Sequence, residues 1–112
     1  MSQIKLNIYK GTNKKEIEKT YTVEGYDLML GTIDDFLAIF DPEKLDNNIE
    51  IAKMIVKAYG QVKPLIMDVF PELTDEEFRN IKINDLVLLI GQLGTAVVES
   101  FDELRKGNLK RA

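Results

Sequence analysis

The 112-residue sequence contains no cysteine, no histidine and no tryptophan. Without cysteine the chain cannot form a disulfide, and without cysteine and histidine it lacks the thiolate and imidazole ligands of most zinc sites. The same absence removes the two side chains that most often act in catalysis near neutral pH. The sequence also has no glycine-rich phosphate loop and no EF-hand loop. We therefore expect a protein that is not an enzyme and that has no catalytic, cofactor or metal site.

Long hydrophobic runs are also missing. The N-terminus has no apolar stretch of the kind that a signal peptide needs. The longest uncharged and mainly apolar stretch, residues 86–98, is thirteen residues long. A membrane-spanning helix needs about 20 residues. We therefore expect no membrane partner.

The net charge of −4 is distributed unevenly along the chain. Residues 1–24 carry a charge of +2, residues 25–104 a charge of −10, and residues 105–112 a charge of +4. An acidic body disfavours nucleic-acid binding, which needs clustered lysine and arginine. The acidic residues indicate either an ordinary solvated surface or a face that accepts a basic partner helix.

The first 24 residues show the period-two alternation that is typical of β-strands. One face of the predicted pair is apolar and has a single exception, Lys19. Two strands alone are only marginally stable, so this face must lie against helices. The pattern predicts a β-hairpin whose inner face carries Ile4, Leu6, Ile8, Ile17, Tyr21 and Val23.

Helical periodicity and capping signals dominate the remainder of the chain. Asn47 and Glu50 are spaced to cap the start of a helix, and Gly60 is placed to close or break that helix. Pro64 fits the first turn of the next helix. We predict an α+β, mainly α fold, in which an N-terminal β-hairpin packs on a cluster of four or five short helices with a long C-terminal helix. We also expect residues 1–106 to form a single domain and residues 107–112 to form a basic flexible tail. The helices are predicted over residues 32–40, 47–59, 64–70, 74–81 and 84–106.

Residues 61–79, QVKPLIMDVFPELTDEEFR, contain a helix stop followed at once by a helix start. Pro71 lacks a backbone N–H and disfavours the helical conformation of the preceding residue. Thr74 is suited to be an N-cap, and Glu77 three residues later completes a capping box. Leu73 and Phe78 are spaced as a hydrophobic staple across this start. The sequence therefore predicts a well-defined corner.

The predicted C-terminal helix has more apolar residues than one buried stripe requires. The core stripe is predicted to be Leu86, Ile90, Leu93, Val97, Phe101 and Leu104. Glycine inside a helix costs about 1 kcal/mol relative to alanine, so the two glycines of this helix indicate that another helix approaches it closely. A neighbouring helix of the same chain is the favoured occupant. We expect the adjoining face to bind protein, either a second copy of the chain or a partner helix, through Val87, Leu88, Gly91, Gly94 and Val98.

Two segments of the sequence resemble a known family. They are YDLMLGTIDD, residues 26–35, and the corner that begins with VKPL at residue 62 and continues as DVFPELTDEE over residues 68–77. Together with the N-terminal strand pair and the apolar C-terminal helix, they resemble the tail assembly chaperones of long-tailed bacteriophages and prophages of Gram-positive bacteria. The resemblance covers about residues 4–104. The chain differs from the family at Gly91 and Gly94, where larger residues are expected.

This resemblance implies a non-catalytic role in tail morphogenesis, in the cytoplasm of the bacterial host. Chaperones of this kind bind the long tape measure protein and keep it soluble. They help to recruit subunits of the major tail (tube) protein, and they are absent from the mature virion. Many such phages also make a longer, frameshifted form. Two alternatives remain open: a small acidic adaptor or regulator that binds another protein, and a structural subunit of the phage particle.

Overall fold

The computed structural model describes residues 3–105, without the side chains of residues 26 and 103–105. It has the α+β, mainly α architecture that the sequence predicts, with an N-terminal hairpin, four shorter helices and a long last helix. Single 3-10 turns lie at Gly25–Asp27 and Pro42–Lys44. The strands are β1, Gln3–Tyr9, and β2, Ile17–Glu24; the helices are α1, Leu30–Ile39, α2, Asn48–Lys57, α3, Tyr59–Val69, α4, Asp75–Phe78, and α5, Ile83–Arg105.

The hairpin follows the predicted alternation except at Ile17. The prediction that Ile17 lies on the inner face is wrong, because the register is irregular between Ile8 and Tyr9 and the Ile17 side chain is 50% exposed. β1 and β2 pair antiparallel, with Leu6 opposite Tyr21 and Ile8 opposite Lys19. Ile4, Leu6 and Ile8 are fully buried because successive residues of a strand point to opposite faces and this face of β1 packs on α5. A two-stranded sheet thereby obtains the helical cover that it needs for stability.

α5 is the central element of the core and packs against β1, α2 and both 3-10 turns. Four residues of the predicted stripe are buried as expected, Leu86, Ile90, Leu93 and Val97. Leu89 and Ala96, which the prediction left out, are also buried, so the inner face of the helix is broader than one stripe.

The prediction that Phe101 belongs to this buried stripe is wrong, since the side chain is 47% exposed. It shares a shallow cavity with Asp41, Pro42 and Glu43, which cover it only in part. The side chain of Leu104, the end of the helix at residue 106 and the basic tail all lie outside the described residues.

The prediction for the junction between the second and third helices is also wrong. α2 ends at Lys57 and α3 begins at Tyr59, so the break lies at Ala58. Gly60 and Pro64 are both inside α3. Proline removes the N–H that would bond to the carbonyl four residues earlier, which here belongs to Gly60. The helix tolerates this loss because both residues are exposed and the carbonyl can bond to water.

Two further helix boundaries differ from the predicted ones. α1 begins at Leu30, so Thr32 is a buried helical residue and not an N-cap. α4 is one turn long and ends at Phe78, whereas two turns were expected. The N–H of Arg79 already bonds to the carbonyls of Asp75 and Glu76 in a tightened last turn, which is a common way for a helix to end.

Candidate protein-binding groove

The corner before α4 has the predicted capping box. The Thr74 hydroxyl accepts a hydrogen bond from the Glu77 N–H at 3.1 Å, and the Glu77 carboxylate accepts one from the Thr74 N–H at 3.0 Å. Leu73 and Phe78, the predicted staple residues, are both buried. Two backbone donors at the start of α4, the N–H groups of Thr74 and Glu77, are therefore satisfied by side chains of the same corner.

Glu77 also connects this corner to the hairpin. Its carboxylate accepts a hydrogen bond from the Tyr21 hydroxyl at 2.7 Å and pairs with the Lys19 ammonium at 2.9 Å. Burial alone would raise the pKa of Glu77, but the hydrogen bonds from Lys19, Tyr21 and Thr74 outweigh it and lower the pKa to about 2. We call Lys19, Tyr21, Thr74 and Glu77 the Glu77 cluster. The cluster explains why a lysine occupies the inner face of β2.

A groove of about 770 Å³ lies between α2 and the N-terminal half of α5. Its apolar lining includes four large side chains that are about half to three-quarters exposed. We call it the α2–α5 groove. Exposed apolar side chains are ordinary when they are scattered, but a contiguous group marks a candidate interaction surface. The four side chains are Ile49 and Val56 of α2, with exposed fractions of 67% and 71%, and Ile83 and Leu88 of α5, with 48% and 58%.

The apolar surface continues past one end of this groove. Val56 and Ile83 also line a second cavity of about 360 Å³, together with Tyr59 and Ile81. The Tyr59 ring is half exposed and packs edge-on against the buried ring of Phe78, with 5.8 Å between the ring centroids. The wall of the groove therefore extends beyond α2 into the first turn of α3.

The charged side chains that line the α2–α5 groove are Lys53 and Lys57, one turn apart on α2. The Lys53 ammonium lies 3.7 Å from the carboxylate of Glu50, and its side chain is 64% exposed. No acidic side chain is part of the described lining. The groove therefore has a basic rim on a body that is acidic overall.

The five residues predicted to bind protein line three adjoining cavities along α5. Val87 and Leu88 line the α2–α5 groove, although Val87 is nearly buried. Both also line a cavity of about 380 Å³ together with Gly91. Gly91, Gly94 and Val98 line a third cavity, of about 360 Å³, beside Leu45. Gly91 thus connects the two groups, and the role of the five residues in protein binding stays a prediction.

Gly94 is accounted for within the chain itself. A Cβ at this position would collide with the side chain of Leu45 and would lie 3.6 Å from the ring of Phe36. Gly91 has no atom within 4 Å of the corresponding position. The close approach that the sequence indicated therefore occurs at Gly94. Its neighbours are Phe36 of α1 and Leu45, which directly follows the second 3-10 turn.

The sequence prediction missed the α2 wall of the groove. Ile49 and Val56 are seven residues apart, so they lie on one face of α2, away from the buried pair Ile51 and Ile55. This second apolar stripe is visible in the sequence.

Three further exposed apolar side chains lie on α1 or directly before it. Met29 and Leu30 are 73% and 83% exposed, and Leu37, near the end of the helix, is 40% exposed. None of the three lines the α2–α5 groove. They therefore provide positions for controls.

Among residues 3–105, no group of three or more acidic side chains is arranged to hold a metal ion. One helix in the same range, Ile83–Asp102, could cross a membrane by its length and its mean hydropathy of 1.2. The core helix of a water-soluble domain passes the same test, and 44% of the apolar window is buried inside the domain. The expected absence of a membrane partner stays a prediction.

Comparison of the chain with models of protein families, with curated proteins and with solved structures gave no match. The functional argument therefore rests on the residues of this chain and their geometry.

Proposed function

We propose that the chain is a phage tail assembly chaperone and that it binds helical segments of a tape measure protein in the α2–α5 groove. The observation that carries this proposal is the contiguous exposure of Ile49, Val56, Ile83 and Leu88 in one groove. The resemblance of residues 26–35 and 62–77 to that family is the second support. The proposal includes recruitment of the tail tube protein, action in the host cytoplasm and absence from the mature virion.

The groove has the dimensions of a helix-binding site. α2 has ten residues, which at 1.5 Å per residue makes its wall about 15 Å long. A bound helix would lie along this wall for about three turns. It would present apolar side chains at positions i, i+3, i+4 and i+7, as in other helix-in-groove complexes. A long helical client that must be kept soluble carries many such segments.

Co-expression with fragments of a tape measure protein tests this proposal. Leu88→Lys places a charge in the groove, and we expect it to lower the yield of soluble fragment severalfold. Leu37→Lys is the matched control, because this leucine is also exposed but lies on α1, outside the groove. The control should solubilise the fragment as well as the unmodified protein does.

The outcomes distinguish the alternatives. If the unmodified protein fails to keep any tape measure fragment soluble, the chaperone proposal is wrong. An adaptor that uses the same groove would then capture a different protein, and it would still depend on Leu88. A structural subunit would instead be found in purified particles. The position of the gene provides an independent check, since a tail assembly chaperone gene is expected between the major tail protein gene and a long tape measure gene.

A further inference from the structure

We propose that the α2–α5 groove selects amphipathic helices that carry acidic residues beside their apolar stripe. This inference rests on the proposed function, because it assigns the chemistry of the client at the same groove. It differs from one of the two alternatives that the composition left open, in which the acidic residues form a face that accepts a basic helix.

The charges around the groove support this choice of occupant. Lys53 and Lys57 are one turn apart on the rim, and the described lining contains no carboxylate. The Glu50 carboxylate lies 3.7 Å from the Lys53 ammonium and offsets part of its charge. A helix seated on Val56 and Leu88 would bring its flanking side chains next to both ammonium groups. Opposite charges at a rim favour encounter and fix register, and they suppress partners of the wrong charge.

The acidic remainder of the protein does not cancel this preference. Charges separated by more than about 8 Å are largely screened at physiological salt, whereas the rim lysines would lie within contact distance of a bound helix. A net charge of −4 therefore slows the approach of an acidic helix without deciding what the groove holds.

The same charges argue against a second copy of the chain as the occupant. A two-fold dimer buries the same patch of both subunits in one interface. Such an interface through the α2–α5 groove would contain Lys53 and Lys57 from both copies, and the Glu50 carboxylate, 3.7 Å from the Lys53 ammonium, would offset only part of this charge in each copy. A partner helix with its own carboxylates is the better fit.

Three synthetic peptides test the inference on the full-length protein. Each has about 20 residues and the same leucine stripe, and the flanking positions are glutamate, glutamine or lysine. We expect the glutamate peptide to bind about tenfold more tightly than the lysine peptide at low salt, as judged by fluorescence anisotropy. The difference should shrink as the salt concentration rises.

Charge reversal at the rim sharpens the test. Lys53→Glu combined with Lys57→Glu should invert the ranking of the peptides, and Lys53→Gln with Lys57→Gln should abolish the preference. Lys14→Glu with Lys15→Glu is the control, because it changes the net charge equally at positions outside the groove lining. Leu88→Ser should weaken all three peptides, and circular dichroism checks that each variant is folded.

Equal affinity for the three peptides, a ranking that survives charge reversal, or no binding of the glutamate peptide would overturn the inference. Failure of the proposed function has a different signature. In that case the peptides are ranked as expected, but fragments of a tape measure protein stay insoluble. If the fragments are solubilised and charge reversal has no effect, the chaperone proposal stands and only the acidic preference is wrong.

Discussion

The Glu77 cluster and the α2–α5 groove differ in whether their side chains find partners within the fold. In the cluster, the Glu77 carboxylate bonds to Thr74, Tyr21 and Lys19 within the same chain. In the groove, Val56 and Leu88 remain more than half exposed. The first region ties a corner to the hairpin and so contributes to folding. The second offers apolar surface that the fold itself does not use.

The exposed surface of the groove is worth several kcal/mol. Burying a whole aliphatic side chain contributes about 1.5 to 3 kcal/mol, so the half to three-quarters that remains exposed on each of the four side chains gives roughly 4 to 7 kcal/mol in total. Association costs roughly 4 kcal/mol or more in lost freedom. Apolar contact with these four residues therefore does not give tight binding by itself. Charges on the rim and repeated binding along a long client would add to it.

The Glu77 cluster can be broken by one conservative substitution. Glu77→Gln keeps the shape of the side chain and one acceptor oxygen, which can still bond to Tyr21 and Thr74. It replaces the oxygen that pairs with Lys19 by an NH2 donor and removes the negative charge. A pKa of about 2 against an ordinary 4.5 corresponds to about 3 kcal/mol at most, which solvent around the exposed lysine reduces to roughly 1 to 2 kcal/mol. We expect a loss of stability of that size in urea unfolding. Glu76→Gln, an exposed neighbour, should change the stability by less than about 0.5 kcal/mol.

The pH dependence of stability follows from the same group. Because folding lowers the pKa of Glu77, its contribution is complete above pH 4.5 and is lost as the pH falls from there through about 2. Over this range the stability of Glu77→Gln should decline less steeply than that of the unmodified protein. Parallel pH profiles would show that the carboxylate of Glu77 is not stabilised by the cluster.

The two glycines of α5 allow a similar comparison within one helix, between a position packed against the fold and a position without such a neighbour. Gly94→Ala forces a Cβ against Leu45, whereas Gly91→Ala meets no atom within 4 Å. Both changes gain the same helix propensity, so their difference isolates the packing effect. We expect Gly94→Ala to be less stable than Gly91→Ala by about 1 kcal/mol, the lower end of the usual cost of overpacking, because the tip of Leu45 can move. Equal stability would show that Gly94 does not determine this approach.

The sequence predicted the parts of the fold that depend on local signals. The alternation of Ile4, Leu6 and Ile8 defines β1, and the pairing of Thr74 with Glu77 defines the start of α4. Both depend on residues a few positions apart, where capping and periodicity act directly. The fold class was predicted correctly for the same reason.

The errors involve contacts between residues that are distant in sequence. Lys19 was an exception to the strand pattern, and its partner, Glu77, is 58 residues away. Pro64 was placed at a helix start because local preference favours it there, but α3 continues through it. The α2–α5 groove was missed because it needs two helices at once, and only the α5 wall at Leu88 was considered. Local preference does not determine which of two apolar stripes is buried.

The smallest expected effect concerns the groove itself. Leu88 is 58% exposed, so Leu88→Lys removes little buried apolar surface, and lysine forms helices about as well as leucine. We expect its free energy of unfolding to stay within about 0.5 kcal/mol of the unmodified value in urea, as for other exposed positions. This result would show that any loss of client solubilisation by the variant reflects the groove and not the fold. A loss of more than about 1 kcal/mol would mean that Leu88 supports the core, because exposed substitutions do not cost that much. The client-binding surface would then have to be sought elsewhere, for example at the exposed side chains of Met29, Leu30 and Leu37.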